Sequence, residues 1–186
     1  MYKIILASQS PRRRQILKDA GVTFESRAKD TNEDFSPTLP KHEVPIFLAN
    51  KKAQAFLPDL NEDELLITAD TVVIIEGEIL NKPANREEAI AMLHKLSGKM
   101  HEVVTGVSLT STTKQVLFSD LTKVYFLPLA PADIEYYVDT HKPFDKAGSY
   151  GIQEYIGYIG IEKIEGSYFN VMGLPIHRVI QELRKF

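Results

Sequence analysis

Cysteine is absent from the 186-residue chain, which excludes disulfides, cysteine-ligated zinc or iron–sulfur centres and a thiol nucleophile. No stretch approaches the ~18–20 continuous apolar residues of a membrane-spanning helix. His42, His94, His101, His141 and His177 show no metal-ligand spacing, which argues against a histidine zinc site. There is no Gly-x-Ser-x-Gly elbow for serine hydrolysis. A glycine-rich phosphate loop ending in Gly-Lys-Ser/Thr is also missing. Excess charge is scarce: 22 Lys+Arg against 25 Asp+Glu leave a net charge of −3, so no global field draws nucleic acid or an anionic membrane. The apolar run at 2–7 is too short for a signal-peptide core, and Arg12-Arg13-Arg14 follow it rather than precede it. The chain therefore reads as cytoplasmic and soluble, with no membrane partner.

What is present is ordinary globular composition, 44% apolar and 25% charged. The length favours one domain, or two lobes sharing a sheet. Strand and helix patterns alternate, which predicts an α/β or α+β class. Residues 2–7 read as a strand that passes through Ser8-Gln9-Ser10 into a helix from Pro11 to Ala20. Ser10 suits the N-cap, Pro11 the first helical position and Gly21 the left-handed position after the end. A strand at 22–28, a polar loop from Asp30 to His42 and a helix at 43–57 follow. Leu65–Ile75 is an apolar run broken only at Asp70, and Glu76-Gly77 turns it back into Glu78-Ile79-Leu80. A helix at 85–97 has a capping-box-like pair in Asn85 and Glu88. Beyond it the pattern predicts a hairpin of 101–111 with 115–127, a helix at 131–140, a glycine-punctuated β region at 147–172 and a closing helix carrying Ile176, Val179, Ile180 and Leu183.

Four segments carry chemistry. At Ser8-Gln9-Ser10-Pro11-Arg12-Arg13-Arg14, a strand meets a helix. Free amides, hydroxyls and guanidiniums at such a junction suit an anion, although the same residues also make an N-capped surface helix. Asp70 is a carboxylate inside an apolar strand, costly unless it is paired, holds a metal or lies at a cleft. Folding at Glu76-Gly77 returns Lys82 to its neighbourhood: a two-residue turn sets Thr71 opposite Lys82, a three-residue turn puts Asp70 on the face of Lys82. Glu33 in the polar loop and Lys51-Lys52 on the next helix read by themselves as surface charges. Last, Asp145-Lys146-Ala147-Gly148-Ser149-Tyr150-Gly151-Ile152-Gln153 combines glycines that admit close approach with an amide that can face a base edge.

Taken in chain order, these segments resemble the Maf family of nucleoside triphosphate pyrophosphatases. The matching motifs are Ala7-Ser8-Gln9-Ser10-Pro11-Arg12-Arg13, Glu33, Lys52, Ala69-Asp70-Thr71-Val72-Val73, Lys82-Pro83, Lys95-Leu96-Ser97-Gly98, Asp145 to Gln153, and Val171-Met172-Gly173-Leu174-Pro175. The resemblance implies a single Maf-like domain over 1–186. Its expected fold is an elongated mixed β-sheet flanked by helices, with two lobes and a central cleft, similar to inosine triphosphate pyrophosphatases. It also implies hydrolysis between the α and β phosphates. Arg12, Thr71 and Gln153 match the type acting on dTTP and UTP rather than the type acting on 7-methyl-GTP. Departures are small: a third arginine at Arg14, and Lys51 before Lys52.

On that resemblance Asp70 is the proton acceptor, working with Lys52, Lys82 and Glu33. Ser8, Ser10 and Arg13 hold phosphates, and Arg12, Thr71 and Gln153 select the base. Glu33 and Asp70 offer hard oxygens to Mg²⁺ or Mn²⁺, with substrate phosphates and water completing the shell. The substrate is a nucleoside triphosphate, with modified pyrimidine nucleotides as a house-cleaning variant. Alternatives are the same chemistry on another base, or a nucleic-acid-binding or cell-division regulator acting through Arg12–Arg14. That cluster is a thin footprint for duplex DNA. A homodimer stays open.

Overall fold

The computed structural model describes residues 2–186. Parallel pairing at the amino terminus sets its frame. β1 (Lys3–Ala7) leads into α1 (Pro11–Asp19), which returns to β2 (Phe24–Arg27). Ser10 caps α1 by accepting the Arg13 amide at 3.4 Å, and Gly21 follows the helix at φ +76°. β1 pairs in parallel with β2 (Ile4↔Phe24) and, after α2 (Val44–Phe56), with β3 (Glu64–Ile75; Leu6↔Ile67). The polar stretch before α2 forms no regular element until a 3₁₀ turn at Lys41–Glu43.

β3 turns into β4 (Glu78–Leu80) through Glu76 and Gly77, at φ +51° and +77°. Two successive positive φ values make the primed turn that matches strand twist. The register Ile75↔Glu78 is that of a two-residue turn. The three-residue alternative, which would place Asp70 on the face of Lys82, does not form.

α3 (Arg86–Leu96) is capped as its sequence predicts: the Glu88 amide donates to Asn85 Oδ1 at 2.9 Å, and Glu88 Oε2 accepts the Ala84 amide at 2.7 Å. β5 (Met100–Thr110), β6 (Gln115–Phe126) and α4 (Pro131–His141) follow. α5 (Tyr155–Gly160), β7 (Ile161–Glu165), α6 (Tyr168–Val171) and α7 (Ile176–Leu183) complete the chain. The seven strands form one mixed sheet in the order β2-β1-β3-β5-β6-β7, with β4 on β3.

The region 147–172 departs from its predicted β character. Only β7 is a strand, antiparallel to β6, while a 3₁₀ turn at Ala147–Ser149 and the short helices α5 and α6 take the rest. Its isoleucines and tyrosines favour strand locally, but packing decides otherwise. A Cβ at Gly157 would stand 2.0 Å from the Ile152 carbonyl oxygen, so the glycine lets α5 coil back on its own approach.

The chain divides into two compact units. One comprises residues up to Thr71, Thr105–Asp120 and Gly173–Phe186; the other comprises Val72–Val104 and Leu121–Met172. In the first, Ile5 and Leu66 of the sheet bury against Ala53 and Phe56 of α2. Two contacts fix α2 there. Thr68 donates its hydroxyl to the Ala49 carbonyl at 2.6 Å, and the backbone of β5 at Gly106 lies so close that a Cβ would meet Ile46 N at 2.2 Å. In the second, Val73, Leu93, Leu96, Phe126, Ile134 and Val138 share a core with Tyr150 and Ile156.

His101 sits in this second core, almost inaccessible, with Nε2 2.7 Å from the Tyr150 hydroxyl and its ring against Phe126. Burial lowers its pKa from 6.5 to about 3. An unfolded chain binds a proton at His101 below pH 6.5 that the folded chain refuses until about 3, so stability is full above 6.5 and declines as pH falls. Urea unfolding between pH 6.5 and 4.5 is expected to lose stability at up to about 1.4 kcal/mol per pH unit from this group. His101→Gln is expected to flatten that slope; an unchanged slope assigns it elsewhere.

Candidate active site

The first unit gathers two sets of side chains around the end of β1. At the β1–α1 junction, Ser8 Oγ accepts the Ser10 amide at 3.2 Å, so the two serines stabilise one tight turn. Arg13, the third residue of α1, points inward. Its Nε donates to the Gly173 carbonyl at 2.7 Å and its Nη2 to Thr71 Oγ1 at 3.0 Å. Thr71 Oγ1 lies 2.9 Å from Thr105 Oγ1. Desolvation lowers the Arg13 pKa, and Asp70 opposes that shift, with Arg12 adding to it and Glu33 opposing it more weakly. Arg12 is half-buried on the same turn and Arg14 is exposed. The cluster is therefore not a uniform basic face, because its middle member is committed to the interior.

The second set centres on Lys52. Its ammonium donates to Asp70 Oδ1 at 2.6 Å and lies 2.8 Å from Glu33 Oε1. The Asp70 and Lys52 side chains keep only 13% and 16% of their exposure, whereas Glu33 keeps 52%. Asp70 lies three residues past the last β1–β3 pair and before the first β3–β4 pair, Val73↔Leu80. Every residue of its strand except Thr71 is buried, and the acidic residue lies where the pairing with β1 has stopped and a polar group can be used. Lys51 points the other way, to the Asp34 carbonyl at 2.9 Å.

Of the residues singled out in the sequence, Ser8, Ser10, Arg13 and Thr71 belong to the first set, and Glu33, Lys52 and Asp70 to the second. Lys82 is an exposed residue of the other unit. Gln153 also lies there, half-buried, with its Oε1 buried and accepting no hydrogen bond among the described residues. Two site residues were not legible beforehand. Gly173 stands only in a motif without a role, and Thr105 carries no local signal at all. Gly173 is 160 residues from Arg13. At φ +109°, a Cβ there would come within 3.4 Å of Thr71 Oγ1 and 3.5 Å of Arg13 Nε, so only glycine keeps this corner unstrained.

Among the described residues no three acidic or histidine side chains form a metal cage.

These features define an α/β protein in which a carboxylate, a lysine, an arginine and several hydroxyl groups gather near the end of β1. The family model for Maf-like protein matches residues 3–186, and the chain belongs to that family. It is 50% identical to a dTTP/UTP pyrophosphatase of Parabacteroides distasonis over 186 residues, covering 100% of this chain and 96% of that protein. It is also 50% identical to the proteins of that name from Phocaeicola vulgatus (99% and 96% covered) and Cytophaga hutchinsonii (98% and 83% covered). A Ham1 protein of Coxiella burnetii has a similar fold, with a TM-score of 0.54 at 14% identity and 100% of both chains covered. A Staphylococcus aureus Ham1 protein aligns with a TM-score of 0.50 at 16% identity, over 67% of this chain and 71% of that one. No helix of the described residues is long and apolar enough to cross a membrane.

Arg13→Lys keeps the charge but cannot span Gly173 O and Thr71 Oγ1 with one planar fork. Denaturant unfolding is expected to show a loss of about 1–3 kcal/mol. Wild-type stability would mean that the two hydrogen bonds contribute nothing.

Proposed function

We propose that this chain hydrolyses nucleoside triphosphates between the α and β phosphates, preferring dTTP and UTP and releasing the monophosphate and pyrophosphate. The observation that carries the reading is Lys52 holding the largely buried Asp70 carboxylate 2.6 Å away, in the same unit as the serine and arginine cradle at the end of β1. The names of the relatives at 50% identity support the substrate choice.

In this mechanism Asp70 orients water and accepts its proton as the water oxygen bonds to the α-phosphorus. The bond from that phosphorus to the α–β bridging oxygen breaks, and pyrophosphate leaves. Lys52 fixes the carboxylate. Ser8, Ser10 and the amides of the α1 amino terminus bind phosphate oxygens, with Arg13 shaping the cradle and Lys82 adding countercharge. Glu33 and Asp70 would hold Mg²⁺ or Mn²⁺. The ion supplies charge neutralisation on the departing pyrophosphate. Arg12, Thr71 and Gln153 read the base, and a pyrimidine carrying a small modification keeps the edge they would read. The three roles together make a cytoplasmic house-cleaning activity a fitting one.

Two measurements test this. Pyrophosphate release across a nucleotide panel is expected to favour dTTP and UTP over GTP and 7-methyl-GTP by at least about 10-fold, and to fall on chelation of divalent cations. Equal rates for all bases would remove the specificity assignment. Asp70→Asn is expected to lower kcat by about 10²–10⁴-fold while nucleotide binding remains measurable. A near wild-type kcat would eliminate Asp70 as the base.

A further inference from the structure

Gln153 lies in a turn whose two ends are tied by side chains from elsewhere in the second unit. The Gly151 amide donates to the Tyr137 hydroxyl at 3.0 Å. That hydroxyl donates in turn to Glu154 Oε2, and Glu154 Oε1 lies 3.1 Å from Lys146 Nζ. Lys146 also donates to Asp145 Oδ1 at 2.8 Å. The turn closes on itself through the Glu154 amide donating to the Gly151 carbonyl at 3.0 Å. Tyr137 is fully buried in α4 and Lys146 keeps only 8% of its exposure, so this chain of contacts has little freedom. A Cβ at Gly151 would stand 2.8 Å from the Glu154 carboxyl carbon, so the carboxylate folds over the turn where only glycine leaves room. Burial and the Glu154 carboxylate raise the Tyr137 pKa, which keeps its hydroxyl a donor.

Within this frame Gln153 Oε1 is buried and without a hydrogen-bond partner among the described residues. An amide oxygen shut away from solvent without a partner is costly, so a rotation about its own side-chain bonds that brings it to a ligand donor recovers free energy. The frame fixes the backbone on both sides of Gln153 and leaves its amide to turn toward such a donor.

We infer that Tyr137 and Glu154, tied to Lys146, are positioning residues that hold Gln153 Oε1 ready for an N–H donor on the nucleobase, and so set base preference without touching the substrate. The inference rests on the proposed reading of Gln153 as a base-selecting residue. A pyrimidine-2,4-dione carries one N–H between two carbonyls, so an amide that a rigid turn delivers there accepts from N3. A loosened turn delivers the amide to other edges as well.

The experiment compares pyrophosphate release from dTTP, UTP and GTP by the full-length wild type and by Tyr137→Phe, Glu154→Ala, Glu154→Gln and Gln153→Ala. Tyr137→Phe keeps the buried ring, and Glu154→Ala alters a partly exposed side chain, so a fold defect in one leaves the other informative. Both are expected to reduce the dTTP-to-GTP ratio of kcat/KM by about tenfold, raising KM for dTTP more than they lower kcat. Glu154→Gln, which still offers an oxygen to Tyr137, is expected to recover most of the ratio. Equal losses for every base, with the ratio intact, would mark the network as structural only and overturn the inference. If Gln153→Ala loses selectivity while Tyr137→Phe and Glu154→Ala keep it, the network is refuted and the base reading stands. If Gln153→Ala keeps selectivity, the base reading itself fails.

Discussion

A carboxylate inside a buried strand governs how this protein is built. Removed from water without a partner, Asp70 would cost several kcal/mol, and its neighbours in β3 offer no charge to pair with it. Lys52 meets it from α2 at 2.6 Å, and the same ammonium reaches Glu33 at 2.8 Å. The position of α2 over the sheet is thus an electrostatic requirement as well as a hydrophobic one. Packing supplies the precision: Thr68 bonds to the Ala49 carbonyl, and Gly106 lets the β5 backbone come into direct contact with the start of the helix. A side chain at Gly106 would move the helix, and with it the lysine that makes Asp70 tolerable.

Arg13 plays a comparable part at the junction after β1. It joins the amino-terminal helix, the middle of β3 through Thr71 and the chain near the carboxyl terminus through Gly173. Its planar fork fixes three segments in one geometry. The serines that precede it are then presented by a turn whose exit direction is already set. Tyr137 and Glu154 do for the Gly151–Glu154 turn what Arg13 does for this junction.

Much of this was legible in the sequence. Helix ends declared themselves through Ser10, Pro11 and Gly21, and through Asn85 with Glu88, because capping is a local hydrogen-bond requirement. The break at Asp70 in an otherwise apolar run singled out the residue on desolvation cost alone. The motifs that carry the family resemblance held through to the match over residues 3–186. The stretch 147–172 was misjudged because tyrosine and isoleucine favour strand, whereas Gly157 lets the chain coil back onto the Ile152 backbone five residues earlier. The hairpin register was undecidable until Glu76 and Gly77 were seen to take positive φ together.

Composition and pattern alone determined the α/β class, the order of elements up to α4, the lack of thiol chemistry, and the chemically unusual residues. These follow from interactions within a few residues, or from the cost of placing a charge in an apolar run. Tertiary structure alone decided which partners those residues take: Lys52 for Asp70, the Gly173 carbonyl and Thr71 for Arg13, and Tyr137 for the two ends of the Gly151–Glu154 turn. Such pairings join positions as far as 160 residues apart. No local propensity encodes them, because they arise only when burial forces each polar group to find whatever partner the fold brings within reach.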